Sequence, residues 1–414
     1  MEQAESGPAT QRIEVRCCIV GGGPAGMMLG FLLARAGVPV LVLEKHQDFL
    51  RDFRGDTIHP STLQLMHELG LLEDFLKLPH QEARQLGAQI GDTLLNIVDF
   101  SHLPTQCKFI ALMPQWDFLN FIADRAQRFP AFALKTRAEA TTLIRESGRV
   151  AGVRAQTPQG ELEIRCELLV AADGRHSILR KQAGLEVMEL GAPMDVLWMR
   201  LSRRDDDPGQ TLGRIDAGRM MVMLNRGDYW QCAFVIRKGG YQEIHERGLP
   251  AFRQEIVGLA PYLRQRVQEL RDWDDIKLLT VAVDRLRHWQ QPGLLCIGDS
   301  AHAMSPIGGV GINLAIQDAV AAANLLAEPL LAGTPSFDDL RSVQERREWP
   351  TRMTQRLQIL IQDQVISRVL ASQRRPAPPW LLRLVARSPL LQRIPARVLG
   401  LGFQPEHVHS PRAR

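Results

Sequence analysis

The sequence contains few cysteines and few tyrosines, and it lacks the cysteine spacings that are typical of disulfide-rich or zinc-binding folds. Its six cysteines, at positions 17, 18, 107, 166, 232 and 296, include no Cys-x-x-Cys pair. Scattered thiols are typical of a reduced cytoplasmic protein, whereas disulfide scaffolds and zinc sites use pairs at short spacing. We therefore expect a cytoplasmic protein with no bound metal.

Long apolar runs and a strong charge are also missing. No run reaches the roughly 18 apolar residues of a membrane-spanning helix, and the polar residues 1–12 contain no apolar signal core. A formal net charge of +4 over 414 residues does not favour a nucleic-acid partner. A soluble protein of two or three domains that binds small molecules is what remains.

The most informative stretch is a glycine-rich turn between an apolar run and a helical pattern. Residues 17–20 are apolar, Gly21-x-Gly23-Pro24-Ala25-Gly26 follows, and a helical pattern begins at Met27. This spacing is typical of a strand–turn–helix unit that holds a dinucleotide pyrophosphate on the helix N-terminus. A second apolar run ends at Glu44, at the separation where an acid binds a ribose hydroxyl. A glycine-rich turn in an unrelated α/β protein is the alternative.

Two later strands are also followed by an acid and a glycine. Residues 167–172 lead into Asp173-Gly174, and residues 294–297 lead into Gly298-Asp299. Ligands of open α/β sheets bind at the carboxyl ends of the strands, although Asp173 could instead cap the following helix. The segment Pro306-x-x-Gly309-Val310-Gly311-Ile312-Asn313 then opens an apolar helix, which predicts a second helix N-terminus that faces an anion.

Several polar residues near these motifs have weaker signals. Arg54 could reach a cofactor phosphate or lie on the surface, and Gln115 could contact a ligand or simply begin a helix. His176 and His302 each lie beside a motif aspartate, and we interpret them as turn or core histidines rather than catalysts.

These motifs in this order are similar to those of the FAD-dependent aromatic hydroxylases, the single-component flavoprotein monooxygenases related to p-hydroxybenzoate hydroxylase and the ubiquinone-biosynthesis hydroxylases. The resemblance covers roughly residues 15–335. It implies an α/β fold: a FAD-binding Rossmann-like three-layer domain, an inserted antiparallel-sheet substrate domain and a helical C-terminal segment. The expected FAD-binding domain comprises 1–80, 105–185 and 286–335, the substrate domain comprises 81–104 and 186–285, and the helical region is 336–414.

The resemblance also assigns roles to individual positions. It implies that the first glycine motif, from Gly21 to Gly26, cradles the FAD pyrophosphate, and that Glu44 with the adjacent Lys45 binds the adenosine end. The remaining expected cofactor contacts are Arg54, Gln115, Asp173, Gly174, Gly298, Asp299, Pro306, Gly309, Val310, Gly311, Ile312 and Asn313. Of these, Asp299 would hold the ribityl chain, and Pro306 would line the reactive side of the flavin ring.

The activity implied by the resemblance is an NAD(P)H-dependent hydroxylation. NADH or NADPH docks transiently and reduces FAD, O2 adds to give a C4a-hydroperoxide, and one oxygen passes to an aromatic or polyketide-like substrate. No catalytic side chain is identified. Only three tyrosines occur, at 229, 241 and 262, and none matches the tyrosines that deprotonate phenols in p-hydroxybenzoate hydroxylase. An FAD-dependent reductase without oxygen incorporation and a non-catalytic flavin-binding protein are the alternatives.

The hairpin expected at 220–236 is the candidate substrate-binding surface. With residues 225–228 as a four-residue loop, strict alternation places Met221, Met223, Trp230 and Phe234 on one face. Such a face suits an apolar polycyclic substrate, and an ordinary core beneath a helix is the equal alternative.

The C-terminal residues 381–399 have a basic amphipathic pattern. We expect this segment to pack on the protein's own surface, because Pro389 and Pro395 interrupt a long interfacial helix. Peripheral contact with a membrane is the alternative, and the expected state is a monomer or a homodimer.

Overall fold

A computed structural model of the chain describes residues 11–50, 57–209, 212–372 and 374–413. Within these residues, the first sheet has eight strands and is centred on the strand that precedes the glycine-rich turn. Its strands, in their order across the sheet, are β19 (Gln290–Gln291), β20 (Leu294–Cys296), β11 (Gly160–Ala171), β1 (Gln11–Val20), β2 (Val40–Leu43) and β8 (Phe132–Lys135), with β10 (Arg149–Thr157) paired to β11 and β9 (Glu139–Glu146) paired to β10.

The centre of this sheet is parallel. Val20 at the end of β1 lies opposite Ala171 of β11 and Leu43 of β2, and Ala171 lies opposite Cys296 of β20. These strand ends are apolar and buried, as expected of parallel strands covered on both faces. The predicted fold class is confirmed.

Helices cover this sheet and extend beyond it. Helix α1 (Pro24–Arg35) contacts both α4 (Gln115–Ala126) and α8 (Gly311–Ala332), and α8 contacts α9 (Phe337–Ile361). The helices of the described residues are α1 (Pro24–Arg35), α2 (Pro60–Glu68), α3 (Leu72–Phe75), α4 (Gln115–Ala126), α5 (Ile178–Gln182), α6 (Tyr241–Arg247), α7 (Leu249–Leu259), α8 (Gly311–Ala332), α9 (Phe337–Ile361), α10 (Ser367–Ala371), α11 (Trp380–Arg387) and α12 (Pro389–Leu401). One turn of π-helix, Gln362–Ile366, joins α9 to α10.

Helix α8 with its preceding turn is long and apolar enough to cross a membrane by composition. However, 78% of the most apolar stretch within Ile307–Ala332 is buried inside the protein. It is therefore the central helix of the core, packed against α1, α9 and the first sheet.

The second sheet is a mostly antiparallel layer of seven strands. Every neighbouring pair is antiparallel except β14 (Leu212–Asp216) and β5 (Gln85–Ile90), which are parallel. In order across the sheet the strands are β17 (Lys277–Leu279), β13 (Met194–Ser202), β16 (Tyr229–Arg237), β15 (Arg219–Asn225), β14 (Leu212–Asp216), β5 (Gln85–Ile90) and β6 (Thr93–Asp99). Two small sheets complete the described strands: β3 (Thr57–Ile58), β7 (Ile110–Leu112) and β4 (Gln81–Ala83), and β12 (Val187–Glu189) with β18 (Asp284–Leu286).

The hairpin β15–β16 has a tighter turn than predicted. Arg226 donates its backbone N–H to the Tyr229 carbonyl at 3.0 Å, so Gly227 and Asp228 alone form the loop. Leu224 therefore lies opposite Gln231, and not opposite Tyr229 as predicted. The shift is even, so the predicted set of residues on one face is unchanged.

The prediction that this face binds the substrate is wrong, because the face forms the hydrophobic core beneath the second sheet. Met221, Met223, Trp230 and Phe234 are at most 3% exposed and pack with apolar residues of α6, α7 and the turns that follow them. The other face of the same hairpin carries Met220, Val222 and Leu224, which are half-buried. Alternation identifies the two faces, but it does not say which of two apolar faces a helix covers.

The C-terminal helices lie across this other face. Leu370 of α10 packs on Met194 and Val235, and Leu382 and Ala386 of α11 pack on the β5–β6–β14 part of the sheet. The predicted packing of 381–399 on the protein's own surface is thus confirmed for its inner side. The exact boundaries of the three predicted domains stay predictions.

Candidate active site

Most of the predicted cofactor residues follow the carboxyl ends of four neighbouring strands. Glu44 follows β2, Gly21 follows β1, Asp173 lies two residues after β11, and Gly298 lies two residues after β20. Since β2, β1, β11 and β20 are adjacent and parallel, these residues meet at one edge of the sheet. The fold brings together sequence positions more than 250 residues apart at the location where α/β sheets bind ligands.

The three motif glycines differ in what surrounds them. Gly21 has φ +110°, and a Cβ there would lie 2.2 Å from the Ala172 carbonyl oxygen. A Cβ on Gly26 would lie 2.0 Å from the Gly21 carbonyl oxygen. By contrast, nothing lies within 4 Å of a Cβ built on Gly23, which is the N-cap of α1. Gly21 and Gly26 therefore permit the tight turn, and Gly23 leaves open space before the N-terminus of α1.

Glu44 fixes the first turn to the second strand. Its Oε2 accepts the Gly22 N–H at 3.0 Å and its Oε1 accepts the His46 N–H at 2.9 Å. Carboxylate oxygens accept more than one hydrogen bond, so ribose hydroxyls could bind the same carboxylate. Lys45 is exposed beside it, and Arg54 lies outside the described residues.

Asp173 shows how a helix cap and a ligand site can share one carboxylate. Its Oδ2 accepts the backbone N–H of Ile178 at 3.1 Å, which is the capping alternative considered from the sequence. Its Oδ1 is buried and has no partner among the described residues. Burial raises the pKa of Asp173, and hydrogen bonds from Ser177 and the α5 backbone oppose that shift. A ligand hydroxyl would satisfy Oδ1.

An arginine pair missed by the sequence reasoning joins the two aspartate turns. Arg175 contacts Asp299 at 3.3 Å. Arg180 donates to both oxygens of Asp284 at 3.2 and 3.1 Å, and also to the Arg175 carbonyl at 2.6 Å. Arg180 and Asp284 are 104 residues apart, and no local pattern links them. This clamp fixes the Asp173 turn relative to the Asp299 turn.

The loop from Pro306 to Val310 is held close to the β3 strand. Gly309 has φ +63°, and a Cβ there would lie 2.3 Å from the Thr57 Oγ1. Thr57 donates that hydroxyl to the Gly309 carbonyl at 2.9 Å. Gly311 then begins α8, whose first-turn N–H groups have no partner within the helix.

Asn313 has a structural task in addition to the predicted cofactor contact through its backbone. Its Oδ1 accepts from the His59 N–H at 2.9 Å and the Thr62 hydroxyl at 2.8 Å. Its amide nitrogen donates to the carbonyls of Thr57 and Gly309 at 3.0 and 3.3 Å. The Asn313 side chain thus ties the loop to α2.

Gln115, another predicted cofactor contact, lies half-buried at the start of α4, just after β7.

A stripe of buried polar side chains on α9 and the π-turn holds the same loop from the other side. Gln358 donates to the carbonyls of Ser305 and Ile307 at 2.9 and 3.0 Å and accepts the Ser305 N–H at 3.2 Å. The residues of this stripe recur at helical spacing in the sequence, but such spacing does not say whether a polar helix face is buried. The stripe consists of Gln344, Arg347, Thr351, Gln355, Gln358 and Gln362, each at most 7% exposed.

A buried charge network lies directly behind the Gly298 turn. Asp318 of α8 accepts the Gly298 N–H at 3.1 Å, His302 Nε2 lies 2.6 Å from its Oδ2, and Arg347 Nε lies 3.1 Å from its Oδ1. Arg347 also contacts Glu406 at 3.3 Å. His302 is therefore a buried structural histidine, as the sequence indicated, and His176 is exposed.

The half-buried face of the second sheet is directed towards this loop. Met220 and Ile307 both pack on the cluster that contains Val235 and Leu370. Two tyrosines, Tyr241 and Tyr262, pack instead on the opposite, helix-covered face. The packing between the sheet and the loop is therefore apolar where Met220 and Ile307 lie against Val235.

The site fits FAD. An open helix N-terminus at Gly23 suits a pyrophosphate, the unpartnered Oδ1 of Asp173 and the one-third-exposed carboxylate of Asp299 suit hydroxyl groups, and the N-terminus of α8 suits a ring that carries negative charge. Within the described residues no group of three or more His, Cys, Asp or Glu is placed to hold a metal ion. The individual cofactor contacts stay predictions.

The fold and the sheet edge define a dinucleotide-binding α/β protein with an attached, mostly antiparallel sheet. The family model described as FAD binding domain matches residues 14–356. A Streptomyces rimosus protein named 6-methylpretetramide 4-monooxygenase is 34% identical over 400 residues, 95% of this chain and 94% of that one. The chain therefore belongs to the FAD-binding-domain family and is an FAD-dependent flavoprotein monooxygenase.

More distant proteins are also similar to this chain. The 12-dehydrotetracycline 5-monooxygenase/anhydrotetracycline 6-monooxygenase of Streptomyces rimosus subsp. rimosus is 26% identical over 311 residues, which cover 73% of this chain and 60% of that one. The crystal structure of p-nitrophenol 4-monooxygenase from Pseudomonas putida has a TM-score of 0.73 at 18% identity and covers 95% of this chain and 100% of that one. At that identity the likeness shows the fold alone.

Proposed function

We propose that the protein uses NADH or NADPH and O2 to hydroxylate a polycyclic aromatic, polyketide-like substrate. The observation that carries this proposal is the apolar packing of Met220 and Ile307 against Val235, which puts the half-buried face of the second sheet beside the loop before α8. We place the substrate cleft along this face. When bound, FAD accepts a hydride from the nicotinamide and activates O2 for transfer to the substrate.

The protein's own residues supply position and electrostatics in this scheme. The α1 N-terminus and Gly23 bind the pyrophosphate, Glu44 binds the adenosine ribose, and Asp173 and Asp299 accept hydrogen bonds from hydroxyl groups. Backbone N–H groups at the start of α8 stabilise negative charge on the ring without a cationic side chain. The C-terminal helices and the sheet limit access of water to the cleft, which strengthens these interactions.

Two observations support a large apolar substrate. The relative that matches this chain nearly end to end is named for 6-methylpretetramide, and the side chains of the cleft beside Ile307 are apolar. A small hydroxybenzoate would need a polar partner for its carboxylate, because a buried charge is costly without one. Tyr241 and Tyr262 lie on the other side of the sheet and offer no phenol-deprotonating group.

The experiment that tests the proposal compares substrate classes. FAD-loaded protein is incubated with NADH or NADPH and either a polycyclic phenolic or p-hydroxybenzoate, and nicotinamide oxidation and hydroxylated product are measured together. We expect stimulated oxidation and product only with the polycyclic compounds. Product from p-hydroxybenzoate alone would contradict the proposed cleft.

The cytoplasmic location and the oligomeric state stay predictions.

Two methionines on opposite faces of β15 separate the core from the cleft. Met223→Ala removes a side chain that is 0% exposed, so it should cost about 2–5 kcal/mol in the free energy of unfolding and leave substrate preference unchanged. Met220→Ala, on the half-buried face, should cost clearly less and weaken apparent substrate affinity. Denaturant unfolding measures the stability of each variant, and steady-state kinetics measures its substrate affinity. If Met223→Ala weakened substrate affinity and Met220→Ala did not, the substrate would bind the face that carries Met223.

Gln358 should control how tightly the loop is held. Gln358→Ala removes its three hydrogen bonds to the backbone of Ser305 and Ile307, so the loop should be less well positioned while FAD still binds. We expect the fraction of oxidised nicotinamide that yields product to fall several-fold. The exposed Gln364 is the matched control, and equal coupling in Gln358→Ala and Gln364→Ala would show that the hydrogen bonds have no such role.

A further inference from the structure

The C-terminal segment concentrates positive charge. Residues 364–405 contain seven arginines and no lysine, aspartate or glutamate, whereas the net charge of the complete chain is only +4. Four of these arginines, Arg383, Arg387, Arg393 and Arg397, are exposed on α11 and α12. None of the four forms an ion pair with any residue in the described part of the chain.

The same two helices expose large apolar side chains. Five of them lie on the outer side of α11 and α12 and form, with the four arginines, what we term the α11–α12 face. Their exposed fractions are 76% for Trp380, 54% for Leu381, 47% for Leu384, 66% for Leu390 and 62% for Ile394. Apolar groups of this size are rarely exposed in such a group without a binding role.

The inner sides of these helices fix the face in place. Leu382 and Ala386 pack on the second sheet, and Ala396 is completely buried against the cluster that contains Phe100. Gln392 donates to the Asn96 carbonyl at 3.1 Å. The two helices are therefore held on the protein by their inner sides, and the exposed residues on their outer sides take no part in that packing.

We propose that the α11–α12 face docks on an anionic lipid bilayer. Apolar side chains with a tryptophan insert at the interfacial depth, and flanking arginines pair with lipid phosphates, which is how basic amphipathic helices lie on membranes. A symmetric pairing of two copies through this face would instead bring arginines together without an acid to compensate, since the segment has none. Charge complementarity therefore favours the bilayer over a second copy.

Docking would also place the bilayer beside the cleft. On its inner side α12 reaches the loop before α8, since a Cβ on Gly308 would lie 2.8 Å from a methyl group of Leu399. The Leu399 carbonyl accepts the Nδ1–H of the buried His59 at 2.7 Å. The link to an apolar substrate rests on the proposed function, whereas docking itself does not.

Vesicle flotation of the FAD-loaded full chain tests the proposal. We expect the protein to float with vesicles of phosphatidylcholine mixed with phosphatidylglycerol, to float poorly with phosphatidylcholine alone, and to be released by salt. Absence of flotation with the anionic vesicles would overturn the proposal, and so would equal flotation with both compositions.

Matched variants separate this face from general basicity. Arg383→Ser, Arg387→Ser, Arg393→Ser and Arg397→Ser together should lower the bound fraction about tenfold or more. The control changes four other exposed arginines, Arg128→Ser, Arg264→Ser, Arg271→Ser and Arg341→Ser, and it should float like the wild type. Equal losses in both sets would contradict the proposal.

The apolar part of the face has its own variant. Trp380→Ser, Leu390→Ser and Ile394→Ser together should also abolish flotation, while nicotinamide oxidation in detergent-free buffer continues. If the wild type instead forms a dimer by sedimentation that this triple variant abolishes, and neither floats, the face binds a second copy and the membrane proposal is wrong. Because flotation needs no substrate, it can succeed when the proposed function fails.

Discussion

Gly23→Val should abolish FAD binding while leaving the protein folded. No atom lies within 4 Å of a Cβ at Gly23, and its backbone has the ordinary extended values of φ −75° and ψ −176°. The new side chain would fill the space before the α1 N-terminus where the pyrophosphate is expected. We expect the Kd for FAD to rise about a hundredfold or more, which is about 3 kcal/mol, and the Tm of the FAD-free protein to change little.

The measurement is a titration of the FAD-free protein with FAD, followed by flavin fluorescence. Gly209→Val is the control, because Gly209 also has open space at its Cβ position and its φ lies outside the left-handed region. A Gly23→Val protein that keeps its flavin absorbance after desalting would show that the pyrophosphate lies elsewhere.

Asp318→Asn should produce the largest loss of stability in the molecule. It removes one of the two buried carboxylates that pair with Arg347, which is 0% exposed and keeps only Glu406. Breaking a buried pair costs about 3–5 kcal/mol. Because Asp318 also accepts the Gly298 N–H, the variant should release FAD more readily. Urea unfolding of the FAD-free protein measures the first effect, with the exposed Asp363→Asn as control.

The stability supplied by Asp318 should also depend on pH. Burial by itself raises the pKa of this carboxyl, but its hydrogen bonds and charge interactions with His302 and Arg347 outweigh burial and hold the pKa below its ordinary value of 3.8. A carboxyl with a depressed folded-state pKa stabilises the protein above its ordinary pKa, and this contribution is lost as the pH falls through the folded value. The difference between wild type and Asp318→Asn should therefore narrow only below about pH 4, and a difference that is already lost at neutral pH would contradict this account.

The sheet edge was predictable because each of its motifs is local. Strand, turn and helix follow one another within a few residues at Gly21, Asp173 and Gly298, and parallel pairing then brings the turns together. Position alone did not reveal contacts across the chain, such as that between Arg180 and Asp284. Those contacts depend on tertiary packing that no single stretch specifies.

The substrate face was predicted on the wrong side for a different reason. Met221 and Met220 are neighbours on a strand whose two faces are both apolar, and only the positions of α6, α7 and the C-terminal helices decide which face is core. The buried polar stripe on α9 shows the opposite case. Its residues recur at helical spacing from Gln344 to Gln362, so the signal was in the sequence, but exposed polar faces are far commoner than buried ones.

As a monooxygenase, this protein should transfer one oxygen atom from O2 to an aromatic substrate. FAD-loaded protein is incubated with NADH or NADPH, a polycyclic phenolic and O2 labelled with oxygen-18, and the product is examined by mass spectrometry. We expect one labelled oxygen atom in the product and the other in water. Product oxidised without any label, or labelled only when the isotope is supplied as water, would contradict it and favour an FAD-dependent dehydrogenase.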